Sequence, residues 1–178
     1  MILDLAALHR ELGIPADYAA HRGCPPQPEA AEAELVSIGG DIYGRDQRLI
    51  VPAAQAWQAM VSAAAADGVG LQPVSAFRGI EYQAGIVRRK LAAGQPIGQI
   101  LKVSAAPGYS EHHTGRAVDI ATAGADPLVE TFADTPAFAW LTENAGKFGF
   151  KMSYPRDNPY GMIYEPWHWA FQLDAIAL

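Results

Sequence analysis

Two short stretches concentrate the residues whose types and spacing could do chemistry. The first is Ser110-Glu111-His112-His113-Thr114-Gly115-Arg116-Ala117-Val118-Asp119. A chain reversal at Thr114-Gly115 would return His112 to the face of the strand that carries Asp119. The second is Glu165-Pro166-Trp167-His168-Trp169. In an extended strand Trp167, Trp169 and Phe171 share one face, which leaves His168 with the small Ala170 opposite. Pro166 breaks the ladder and forces its neighbour extended, so a bend there can turn Glu165 toward the side of His168. Imidazole nitrogen plus carboxylate oxygen is ordinary ligation for a divalent metal. Two histidines and one carboxylate leave a position for water, and water then needs a nearby base. From spacing alone, a hydrogen-bonded core histidine, a capping aspartate and a strand-end glutamate describe the same residues equally well.

These stretches need elements to position them. Residues 52–68 read as an amphipathic helix with Pro52 early, Gly68 as its stop, and Trp57, Met60, Val61, Ala64 and Ala65 on one face. A strand over 71–78 follows, with Pro73 near its start. The next helix places Ile80, Ala84, Val87 and Leu91 on one stripe, with Arg88, Arg89 and Lys90 on a solvated face. Residues 102–115 read as a loop and 116–121 as an alternating strand. A helix over 135–150 has Thr135 as N-cap, Pro136 in its first turn, and Phe138, Leu141, Ala145 and Phe148 as its buried stripe. Strands at 150–155 and 162–172 end the pattern. Helices and strands intermix without regular alternation, so the class is α+β.

Residues 1–20 form a short helix with Leu5, Leu8 and Leu12 on one face, and 21–34, with three prolines, read as an exposed connector. Residues 1–34 are thus set apart from a single domain over 35–178. One cysteine, Cys24, excludes internal disulfides and every thiolate-rich zinc site, and reads as a free surface thiol. A net charge of −6 gives no footprint for nucleic acid or an anionic membrane surface. No apolar run is long enough to span a bilayer. Asp4, His9, Arg10 and Glu11 interrupt the N-terminus where a signal peptide needs an apolar stretch.

The motifs are more specific together than apart. Ser110-Glu-His-His-Thr-Gly-Arg-Ala-Val-Asp119 fits the Ser-x-His-x-x-Gly-x-Ala-x-Asp pattern of the zinc D-Ala-D-Ala carboxypeptidases and dipeptidases of the VanY and VanX type. Glu165-Pro-Trp-His168 resembles that family's Glu-x-x-His motif, and residues 74–83 resemble its upstream segment ending in glutamine. The layout from Asp41 through Gln172 is similar to the VanY branch, whereas residues 1–34 have no counterpart.

The resemblance implies a central antiparallel sheet flanked by helices, as in hedgehog and D,D-peptidase domains, and one Zn²⁺ per chain. It implies His112, Asp119 and His168 as ligands, and Glu165 as the base that activates water and passes a proton to the leaving amine. Arg78 would stabilise an oxyanion or a substrate carboxylate, a task suited to a permanently charged, bidentate group. Ser110 and Gln83 would hold the end of a peptidoglycan peptide. His113 is expected behind the ligand or exposed, and Glu111 as a solvated neighbour. Gly79 replaces the family's usual serine. The implied activity is D,D-carboxypeptidase action at the cell envelope by a monomer. The alternatives are L,D-carboxypeptidase action, L-Ala-D-Glu endopeptidase action, or a non-catalytic zinc or peptidoglycan-binding module.

Overall fold

A computed structural model describes residues 4–173. The chain begins with two short helices, α1 (Leu5–Glu11) and α2 (Tyr18–Arg22), followed by an antiparallel hairpin of β1 (Leu35–Gly40) and β2 (Asp46–Ile50). Helix α3 (Val51–Ala66) leads to β3 (Gln72–Ser75), and α4 (Ile80–Ala92) and α5 (Ile97–Val103) follow in sequence. Then come β4 (Ala117–Ala121), α6 (Pro136–Asn144), β5 (Phe150–Met152) and β6 (His168–Phe171). Strands β3 to β6 form one antiparallel sheet in the order β3-β4-β6-β5, so the architecture is α+β with an antiparallel centre.

The main core lies where α3 and α6 cover the sheet. Trp57, Met60 and Ala64 from α3 meet Val118 and Ile120 of β4, Trp169 and Phe171 of β6, and Leu141 of α6. Thr135 caps α6 by accepting from the Phe138 amide, as its sequence position foretells. The helix stops at Asn144, however, and tightens into a 3₁₀ turn over Ala145–Phe148, which Gly149 ends at φ +77°. The last strand is also shorter than its apolar run suggests. Only His168–Phe171 pairs, because residues 165–168 close a turn in which the His168 amide donates to the Glu165 carbonyl at 3.1 Å.

A second core forms between the N-terminal segment and the cleft-side helices. Leu8, Leu12, Ile14 and Tyr18 bury themselves against Ala84 and Val87 of α4, Ile100 and Leu101 of α5, and Ala106. Residues beyond α2 stay in contact with the domain as well. The Arg22 guanidinium donates to the carbonyls of Leu101 at 2.7 Å and Gly161 at 3.1 Å. Backbone amides of Gln27 and Ala30 donate to the carbonyls of Gly108 and His113. The Glu29 carboxylate accepts from the Ile80 amide at the start of α4. A Cβ on Gly79 would lie 3.3 Å from that carboxylate, a contact a small shift of the Glu29 side chain would relieve.

Candidate active site

The sheet register assembles the site. Asp119 of β4 pairs directly with His168 of β6, so their side chains leave the same face of the sheet at neighbouring positions. His112 arrives by a different route. A 3₁₀ turn over Glu111–Thr114 ends at Gly115, whose φ of +64° reverses the chain into β4. A Cβ there would also come within 2.9 Å of Leu35 and 3.0 Å of Ile50, so glycine is required twice over. His112 Nε2 lies 3.3 Å from Asp119 Oδ2, and His168 Nδ1 lies 3.0 Å from Asp119 Oδ1. All three side chains are buried. Their ligating atoms fall within 4.8 Å of one another.

Tautomers show what this cluster is built to hold. His112 Nδ1 donates to the Ala76 carbonyl at 2.6 Å, which leaves a lone pair on Nε2. Burial, assisted by the Arg78 charge, pushes the His112 pKa down to about 4, so the ring is neutral near pH 7. That buried Nε2 has no hydrogen-bond partner and faces a carboxylate oxygen. Two lone pairs directed at each other in a buried site call for a cation between them. Burial alone would raise the Asp119 pKa, but it is held below the usual carboxylate range with His168 beside it, so the carboxylate is ionised. Two imidazoles and one carboxylate are a fitting donor set for zinc with an open fourth position.

Glu111 corrects the expectation of a solvated neighbour. Its Oε2 sits 2.9 Å from His168 Nε2, so His168 lies between Asp119 and Glu111. With Nε2 donating to Glu111, the ring is fixed in plane with Nδ1 turned to Asp119, and Nδ1 is the nitrogen that would ligate a metal in place of its proton. Nothing local in the sequence signals this pairing, since the two residues come from different elements.

Glu165 is buried beside the cluster, with Oε2 3.8 Å from His168 Nδ1. Burial pushes its pKa up to about 7, against the pull of His168 and Arg78. Arg78 follows β3; its Nη1 lies 3.4 Å from Ser75 Oγ and 3.9 Å from Asp119 Oδ2, and its buried Nε has no partner. These groups open on one cleft of about 360 Å³, lined also by Ser110, Tyr154, Trp167 and Lys90. The Tyr154 ring lies tilted against His168, with 4.7 Å between the ring centres. Tyr164 instead packs under the Arg156 guanidinium at 4.2 Å.

Two other residues act from behind the wall. Gln83 is buried, and its Nε2 donates to the carbonyl of Ala105 at 2.8 Å. Ala105 lines the cleft, so Gln83 shapes its wall. His113 is also buried, and both ring nitrogens are engaged. Nδ1 donates to the Arg78 carbonyl at 2.6 Å, and Nε2 accepts from the Gly108 amide at 3.1 Å. It positions the Arg78 backbone and has no nitrogen left for a metal.

A family model described as VanY, D-alanyl-D-alanine carboxypeptidase, matches residues 46–174, which include every residue of the cluster. The chain belongs to the VanY family. Among VanY-like relatives, it is 30% identical to YodJ of Bacillus subtilis over 168 residues, or 92% of the chain. It is 31% identical to a D-alanyl-D-alanine carboxypeptidase of Enterococcus faecalis over 178 aligned positions, or 94% of the chain. The chain spans 58% of the length of each of these two relatives.

Solved structures agree with the VanY assignment. The LdcB LD-carboxypeptidase superposes with a TM-score of 0.73 at 28% identity, covering 86% of this chain and 74% of that one. VanYB in complex with D-alanine-D-alanine gives 0.65 at 31% identity, covering 85% and 84%. A mutant of the VanB-type D,D-pentapeptidase VanY in complex with Zn(II) gives 0.63 at 29% identity, covering 84% and 86%.

Proposed function

We propose that this chain is a zinc-dependent D,D-carboxypeptidase that removes the C-terminal D-alanine from peptidoglycan stem peptides. The observation that carries the reading is the buried His112 Nε2 lone pair facing Asp119, with His168 and Glu165 alongside in one cleft. Zinc held by His112, Asp119 and His168 would supply a Lewis acid that polarises a scissile carbonyl and lowers the pKa of water to about 7.

The chain's own residues do the remaining work. Glu165 takes a proton from the attacking water at its carboxylate and returns it to the leaving amine. A carboxyl held near pH 7 by burial suits both halves of that transfer. Arg78 brings its guanidinium into the same cleft as Glu165, to meet negative charge as it grows on the carbonyl oxygen. Ser110, buried at the cleft wall, offers a hydroxyl to the peptide. Trp167 and Tyr154 supply aromatic wall to the cleft.

Similarity to LdcB supports a second reading, L,D-carboxypeptidase action on a shorter stem. Zinc-loaded protein incubated with purified muropeptides, followed by mass spectrometry, separates the two. Pentapeptide stems losing one D-alanine support the D,D reading. Tetrapeptide stems losing their terminal residue support the L,D reading. Cleavage between L-Ala and D-Glu would overturn both.

A further inference from the structure

Helix α4 carries three consecutive basic residues, Arg88, Arg89 and Lys90, and only part of that run is a solvated face. Arg88 reaches Glu11 with two donors, at 2.7 and 3.2 Å. Lys90 is two residues on, about 200° around the helix, and so points to the other side. There it lines the active-site cleft together with Ile86, its neighbour one turn earlier on the same face. Its Nζ donates to Ser104 Oγ at 2.8 Å, and Ser104 lines the same cleft just beyond α5.

Among the described residues, no carboxylate lies within 4.0 Å of the Lys90 ammonium. The group is half-buried, so it has lost part of its hydration, and the carboxylate whose charge it feels, Glu165, lies beyond pairing distance. Arg78, already committed near Asp119 at 3.9 Å, places a second positive charge in the same cleft. Two cations and two serine hydroxyls, Ser104 and Ser110, thus face one cavity whose catalytic carboxylate, Glu165, serves as the base. A lysine held by a single hydroxyl retains two further donor hydrogens.

We infer that Lys90 anchors a carboxylate of the bound peptide, leaving Arg78 free for the oxyanion. The inference rests on the peptidase reading of this cleft, and it supplies a reason for exopeptidase action. A free chain terminus carries a carboxylate that an internal peptide bond lacks. A side-chain carboxylate on the peptide offers the same chemistry from a second source.

The test measures binding, so that it stands apart from turnover. Zinc-loaded Glu165→Gln protein is titrated calorimetrically with a peptide ending in D-Ala-D-Ala as the free acid. The same peptide as its C-terminal amide, and the amide carrying one acidic side chain, are the other two arms. Lys90→Met is expected to weaken free-acid binding about 10- to 100-fold, the range for a lost charge-assisted hydrogen bond, while leaving amide binding unchanged. Lys90→Arg is expected to restore most of the loss.

A Lys90-dependent gain confined to the acidic side-chain arm would place the anchor on that carboxylate instead. Equal affinity for all three peptides would overturn the inference. So would an equal loss for both in Lys90→Met, which would mark a merely structural tie between α4 and Ser104, or no binding of any peptide. Lys90-dependent binding by a wild-type protein that releases no amino acid would sustain the anchor and refute the peptidase reading.

Discussion

Asp119 and His168 face each other across adjacent antiparallel strands with 3.0 Å between Oδ1 and Nδ1, and the second Asp119 oxygen lies 3.3 Å from His112. One carboxylate therefore contacts both imidazoles, and the sheet ladder itself holds two of the three proposed ligands in place.

Metal removal follows from this arrangement. A cation that binds only the folded chain stabilises it by about 2.7 kcal/mol at one hundred times its dissociation constant. Zinc added to chelator-stripped protein should raise the unfolding midpoint by several degrees in differential scanning calorimetry. Asp119→Asn should abolish that increment. An unchanged increment in the variant would place the metal elsewhere.

Glu111 orients His168 through Nε2, at 2.9 Å. Loss of such an outer carboxylate typically lowers metal affinity or activity by about 10- to 100-fold. Glu111→Ala should show that loss in competition with a chromophoric chelator, with its far-ultraviolet circular dichroism unchanged.

Metal-free protein should also have a distinctive pH profile. Burial pulls the His168 pKa down, but hydrogen bonds to Asp119 and Glu111 more than reverse this and raise it to about 10. A folded-state value above the unfolded one, near 6.5, stabilises fully below about pH 6.5 and is lost as pH rises toward 10. Asp119, depressed with His168 beside it, stabilises above its unfolded value near 3.9 and loses that contribution as pH falls further. Unfolding midpoints of stripped protein should therefore decline between pH 6.5 and 9.5, whereas His168→Gln should flatten that slope.

The N-terminal segment is part of the folded unit. Leu12 is 2% exposed within the second core, against α4 and α5. Leu12→Ala should cost about 2–5 kcal/mol in denaturant unfolding, as large-to-small changes in a packed core do. A cost below 0.5 kcal/mol would mean that the segment only rests on the surface.

The site was more legible than the frame that supports it. His112, Gly115 and Asp119 are close in sequence, so a single reversal could be read from their types. The bend at Pro166 that turns Glu165 toward His168 was readable for the same reason. Glu111 was not, because its partner lies on β6 and the contact depends on which ring nitrogen faces the ligands.

Hairpin β1–β2 gave no local signal either. Its turn is organised by Asp41, which accepts from the backbone amides of Tyr43 and Arg45 and from the side chains of Arg45 and Gln47. Helix α5 lies mostly in residues 97–101, ahead of the loop expected from 102, and gives no signal of its own, since seven residues carry too little periodicity to detect. In the sequence Lys90 looks solvated because a basic run ordinarily marks one face, whereas adjacent helix positions point about 100° apart.

The central claim is that Glu165 is the base beside a metal held by His112, Asp119 and His168. Its most direct test compares bound zinc and D-alanine release in wild type and Glu165→Gln, on the same pentapeptide substrate. The account predicts one zinc per chain in both proteins, and a loss of turnover of at least about 100-fold in the variant. Equal D-alanine release by the two proteins would contradict it.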